Sequence, residues 1–99
     1  MRIPKKFKLN NKSWEVSVKD KKKFKKDERL MGVCYRNLHK IFINPALTRN
    51  EIEETFVHEL LHACWPASLC SNKLEEKIVE KLGITLYATL KKNKKLLSR

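Results

Sequence analysis

Five consecutive residues, His58-Glu59-Leu60-Leu61-His62, constrain this chain more than any other feature. Residues i and i+4 of a helix project from one face, so both imidazoles can reach a single metal ion. Zinc takes imidazole nitrogen at about 2.0–2.1 Å in a tetrahedral shell. Glu59 lies about 100° further round the helix, beside such an ion without binding it. A carboxylate there can accept the proton of a metal-bound water. The geometry needs a helix, and the flanking sequence predicts one over residues 49–65. Thr48-Arg49-Asn50-Glu51 has the form of a capping box. Ile52, Phe56, Val57, Leu60, Leu61, Ala63 and Cys64 cover most of the circumference, the pattern of a helix central to its domain. Pro66 ends it. Two histidines and a glutamate within so apolar a helix would be costly to bury unpaired, which favours a bound ion.

A second helix is expected over residues 73–92, with Asn72-Lys73-Leu74-Glu75 capping its start. Leu74, Ile78, Val79, Leu82, Leu86 and Leu90 form its apolar stripe. Residues 12–18 alternate, with Trp14, Val16 and Val18 on one face, and predict a half-buried strand. Residues 30–35 and 40–44 flank Arg36-Asn37-Leu38-His39 and predict a hairpin that Asn44-Pro45 stops. The charge run at residues 19–28 is expected to be a loop, and residues 91–99 a fraying tail. Together these elements predict one α+β domain spanning residues 1–99. Its core is expected at about residues 12–92, between a basic N-terminal segment and a basic tail.

A catalytic zinc usually has three protein ligands and an open position. His39, Cys64 and Cys70 are candidates for the third, but the second helix offers Glu75, Glu76 and Glu80. Glu75, three residues after Asn72, suits the capping box. Cys64 falls on the wrong side of its helix and reads as a small buried hydrophobe. Glu76 shares a face with Val79, Glu80, Gly83 and Leu90, and Gly83 would let another helix approach closely. That face is expected to pack on the first helix, with Glu76 reaching the zinc and Glu80 holding the free N–H of a ligand histidine. Glu75 remains the alternative ligand.

Charge sets the remaining expectations. The net charge is +12, and the surplus sits at the ends: residues 1–26 hold eleven Lys/Arg against Glu15 and Asp20. Such ends favour loose contact with polyanions, or serve as solvated surface. No stretch has the ~18 apolar residues of a membrane span, and no apolar run follows the basic N-terminus as in a signal peptide. Three cysteines without a CxxC fit a reducing compartment, so the expected location is cytoplasmic, although a Cys64–Cys70 bridge is compatible with the sequence.

Gly32-Val33-Cys34, residues 40–44, the segment Thr55 to Ala63, and Glu76-Lys77-Ile78-Val79-Glu80-Lys81-Leu82-Gly83 with Leu86-Tyr87 resemble the small SprT-like metallopeptidases of phage and prophage genomes. The chain is similar, more distantly, to the ImmA/IrrE-type peptidases. The resemblance covers roughly residues 12–92. It implies a minimal zincin-like fold: a short antiparallel sheet packed on the HExxH helix, and a second helix that supplies a glutamate. It also implies Zn2+ held by His58, His62 and Glu76, with Glu59 as general base. A phage-encoded chain would act in the host cytoplasm. The link between the helices is short, and no acidic residue stands near Cys34, where the family often has one.

The resulting expectation is a zinc metallopeptidase acting on a protein or peptide substrate, whose backbone would pair with an edge strand. Tyr87, Tyr35 and His39 are the candidate oxyanion donors. Two other readings use the same residues. One is a zinc-stabilised interaction module without turnover. The other is a basic nucleic-acid-associated protein, with Trp14, Phe7 and Phe24 stacking on bases and the basic ends on phosphate.

Overall fold

The computed structural model describes residues 2–69 and 72–95. Strands β1 (Lys6–Leu9), β2 (Lys12–Ser17), β3 (Gly32–Tyr35) and β4 (Lys40–Ile43) precede the helices α1 (Arg49–Cys64) and α2 (Asn72–Lys92). The α+β class is as expected: one sheet, a helix packed on it, and a second helix beside the first.

The sheet order is β1-β2-β4-β3. β3–β4 is the expected antiparallel hairpin, but β2 and β4 run parallel, so the sheet is mixed rather than wholly antiparallel. The chain crosses between them through residues 18–31, which leads β3 to the outer edge. β1 was not expected at all. Leu9 pairs with Lys12 across Asn10 and Asn11, both at positive φ (52° and 64°), as a two-residue type I′ hairpin turn requires. Ile3, Phe7 and Leu9 then join the core, which therefore extends further toward the N-terminus than residue 12.

That core is Trp14, Val16, Ile41, Ile43 and Phe56. Phe7 stacks on Trp14 with ring centroids 6.0 Å apart and meets Phe56 edge-on at 6.4 Å. Offset and edge-to-face contacts of this kind add about 0.5–1.5 kcal/mol beyond burial. Trp14 and Phe24 are buried, so the nucleic-acid reading loses two of its three aromatic residues to packing. Phe24 belongs to a 3-10 turn at Lys21–Phe24 inside the expected loop, with Asp20 accepting from the Lys23 amide. Buried Asn44 ties the end of β4 back to the crossover, donating to the carbonyls of Glu28 and Leu30.

Helix α1 starts as its sequence requires. The Thr48 hydroxyl accepts from the Glu51 amide at 3.3 Å, and the Glu51 carboxylate accepts from the Thr48 amide at 2.9 Å. Such caps are worth about 1 kcal/mol. Phe56, Leu60, Ala63 and Ile52 turn to the sheet. Cys64 is exposed, not buried, because it falls in the last turn, past the sheet; Cys70 lies outside the described residues.

Helix α2 differs most from expectation. Leu74, Ile78 and Leu82 are 54%, 38% and 51% exposed, while Glu75, Val79, Gly83 and Tyr87 are buried. The helix is thus rotated about its axis from the expected stripe. The cause is visible in its partners: Tyr87 donates to Glu53 of α1 at 3.0 Å, and Glu75 meets His62. The face turned to α1 keeps Val79 and Gly83 of the one expected to pack there and adds Glu75 and Tyr87. The capping role expected of the Asn72 side chain lies outside the described residues. No described helix is long and apolar enough to cross a membrane.

Candidate metal centre

Three elements meet at the site. α1 presents His58, Glu59 and His62; α2 runs antiparallel to it and presents Glu75 and Glu76; β3 closes the third side. Gly83 faces α1 but is not required there: a Cβ on it would stand 3.7 Å from the His58 Cα, an ordinary contact distance. At Gly32 the strand contact does require glycine. A Cβ on it would come within 2.7 Å of the Thr55 methyl and 3.1 Å of the Glu59 Cγ.

The expected ligand triad assembles. One nitrogen from each histidine and a carboxylate oxygen of Glu76 all lie within 4.8 Å of one another. Glu76 bridges the rings: Oε1 is 3.1 Å from His58 Nε2, and Oε2 is 3.0 Å from His62 Nε2. Ligands at about 2.0 Å in a tetrahedral zinc shell stand roughly 3.3 Å apart, so the spacing is close to that of a loaded site.

Glu75 is not one of the three converging groups. It is buried, and its Oε2 lies 2.6 Å from His62 Nδ1. Arg36 pairs with the same oxygen, and its Nε donates to the His62 carbonyl at 3.0 Å. Burial raises the Glu75 carboxyl, but the hydrogen bonds from Arg36 and His62 outweigh it and hold the group below its ordinary range. Glu75 therefore takes the role expected of Glu80. Glu80 is exposed and lines the open cleft instead, because it sits one turn beyond Glu76, past the rings.

His62 tests whether a cation fits. Carboxylates face both of its ring nitrogens. Carboxylates only accept, so Nδ1–H donates to Glu75, and a neutral ring then turns a lone pair on Glu76. A cation placed between Nε2 and Glu76 would satisfy both. Two imidazoles and a carboxylate are a donor set that zinc accepts, and Glu75 supplies the outer hydrogen bond that fixes a ligand histidine.

Glu59 lies beside the triad. It is 7% exposed and has no hydrogen bond or ion pair among the described residues. Burial pushes its carboxyl up to about 7; the nearby Glu76 charge adds to this and His62 opposes it. Cys34 packs nearby, and burial followed by the Glu59 charge pushes its thiol up to about 12, so it is a neutral thiol.

Of the oxyanion donors, Tyr87 is not brought to the site; its buried hydroxyl donates to Glu53. Burial, then that carboxylate, pushes it up to about 12. His39 lies against Trp14, ring centroids 5.2 Å apart. Tyr35 lines the cleft, as does Arg36, whose part the sequence reading missed. The cleft has a volume of about 1270 Å³ and runs along the edge strand β3. Comparison with protein-family models, curated proteins and solved structures gives no match.

Proposed function

We propose that the protein is a zinc-dependent metallopeptidase with His58, His62 and Glu76 as metal ligands and Glu59 as general base. One observation carries the reading: the two imidazoles and Glu76 converge at ligand spacing while the carboxylate of Glu59, facing the cleft with no ion pair among the described residues, stands beside them. The resemblance of the HExxH helix and the following Glu-x-x-Val-Glu pattern to SprT-like peptidases agrees with it.

A zinc ion held there supplies Lewis acidity toward a carbonyl and brings the pKa of a water toward 7. The chain's residues do the rest. Glu59, with an affinity for protons matched to neutral pH, accepts the proton of the attacking water and returns it to the leaving amine. Glu75, backed by Arg36, keeps His62 Nδ1 protonated, so that Nε2 offers its lone pair to the metal. The free edge of β3 lies along the cleft, where an extended peptide can pair with it.

The test is hydrolysis of an unfolded protein substrate by wild type and Glu59→Gln, both loaded with zinc. The reading expects Glu59→Gln to hold zinc and lose at least about 100-fold in rate, as removal of a general base does. Equal rates in the two proteins would exclude the mechanism.

A further inference from the structure

The face of α2 turned away from α1 has a pattern of its own. Leu74, Ile78 and Leu82 stand there in successive turns, each exposed. Thr85 and Thr89 continue the same line and are exposed too. From Ile78 onward the steps are four, three and four residues, the repeat by which one helix presents a seam to another. The threonine hydroxyls donate within the helix, to the carbonyls of Lys81 at 3.4 Å and Thr85 at 2.8 Å. An apolar partner can therefore cover them without stranding a donor. The seam is about 22 Å long at the rise of an α-helix. None of its five residues lines the cleft or belongs to the packed core.

Charge is an independent observation. Lys73, Lys77 and Lys81 each precede a seam residue by one position, so they form a row beside it, about 100° round the helix. All three are exposed, and none has a hydrogen bond or ion pair among the described residues. The acids of the helix lie elsewhere: Glu75 and Glu76 meet the histidines, and Glu80 lines the cleft. One border of the seam is thus lysine throughout, while the other turns into α1 through Val79 and Gly83.

We propose that this face of α2 docks an acidic amphipathic helix of a partner protein, whose apolar stripe covers the seam while its carboxylates meet the lysine row. Helix-on-helix docking of this kind takes anchors at the seam spacing and sets partner choice by the charges that flank it. The lysine row, on a chain of net charge +12, selects an acidic partner. A second copy of this chain is disfavoured, because two seams laid antiparallel bring lysine row against lysine row. A lipid surface is matched by a broader apolar face with aromatic residues and lysine on both borders. The proposal is independent of the peptidase reading, and a helix docked here leaves the cleft open.

The experiment uses the full zinc-loaded chain and two helical peptides as long as α2, with leucine at the spacing of the seam. One peptide carries glutamate on its borders and the other lysine. Fluorescence anisotropy at low salt measures their affinities. The glutamate peptide should bind about tenfold more tightly than the lysine peptide, the scale of a few exposed charge pairs, and high salt should narrow the gap. Leu74→Ser combined with Leu82→Ser, both at exposed positions, should weaken the glutamate peptide by at least about tenfold. Lys77→Glu combined with Lys81→Glu should reverse the preference between the peptides, and serves if the leucine changes disturb folding. No binding of the glutamate peptide, equal affinity for the two, or a preference that survives the lysine reversal would overturn the proposal. A chain that dimerises in sedimentation, with the dimer lost in the leucine variant, would overturn it in favour of a second copy. Tighter binding to vesicles of phosphatidylserine and phosphatidylcholine than to the glutamate peptide would overturn it in favour of a membrane surface.

Discussion

The carboxylate of Glu75 stands 2.6 Å from Nδ1 of His62 and holds that ring from behind. Arg36 completes the arrangement by pairing with Glu75 and donating to the His62 carbonyl, so the β3–β4 turn, the end of α1 and the start of α2 meet at His62. Glu75→Gln keeps the shape but can no longer compel Nδ1 to be the donor. Zinc affinity, measured by competition with a chelator, should fall about 10–100-fold, the usual effect of removing an outer hydrogen bond. Arg36→Ala should lower it in the same direction, and Arg36→Lys should recover only part, since lysine lacks the fork that serves both acceptors.

Tyr87 belongs to the scaffold and not to the chemistry. Its hydroxyl donates to buried Glu53, which also receives Arg49 at 3.2 Å. Burial raises the Glu53 carboxyl, but the bonds from Tyr87 and Arg49 outweigh it and leave it below its ordinary range. Its stabilising contribution is therefore present above the unfolded pKa and is lost as pH falls through the lower folded value. Tyr87→Phe should cost about 1–3 kcal/mol in urea unfolding near neutral pH, the penalty of a weakened buried acceptor. Zinc content should not change.

The two glycines should respond oppositely to alanine. At Gly83 the new methyl group meets ordinary contact distances, and the helix interior favours alanine, so a gain of about 0.5–1 kcal/mol is expected from chemical denaturation. At Gly32 the methyl group would stand 2.7 Å from the Thr55 methyl and must displace α1 or Glu59. Gly32→Ala should destabilise the fold by about 1–3 kcal/mol, as overpacking does.

Glu59 makes the metal-free protein sensitive to pH. Its folded pKa, about 7, lies above the ordinary 4.5. Below the lower value both states hold the proton and there is no effect. Between the two values the unfolded chain ionises and the folded one resists, so stability falls as pH rises, and the loss levels off above the folded value. Replacing Glu59 with glutamine removes this dependence. In the absence of metal, the stability advantage of Glu59→Gln over wild type should be larger at pH 8 than at pH 5 by about 2 kcal/mol. A constant difference across that range would mean that the carboxyl is not held in a desolvated site.

Much of this was legible in the sequence because it is local. The capping box, the hairpin and the i, i+4 histidines each depend on a few neighbouring residues, and all three take the expected form. Glu76 was reachable because Gly83, on the same face, signals a close neighbour. What was missed depends on tertiary partners. The Leu74–Ile78–Leu82 stripe looked like a core face, yet the ion pair at Glu75 and the Tyr87–Glu53 bond set the rotation of α2. Nothing near Arg36 in sequence announces its partners 26 and 39 residues away. β1 could have been found: Asn10-Asn11, tolerant of positive φ, separates Phe7 and Leu9 from the alternation of β2, but the surrounding lysines obscured it. The parallel pairing of β2 with β4 is a property of the crossover and leaves no local mark.

The central claim is the three-ligand metal centre, and zinc content per chain after reconstitution tests it most directly, measured by elemental analysis on wild type beside Glu76→Ala. The account predicts about one zinc in the wild type and little or none in Glu76→Ala at the same free zinc concentration. A wild type that takes up no zinc, or a Glu76→Ala protein that holds it as tightly, would contradict the assignment.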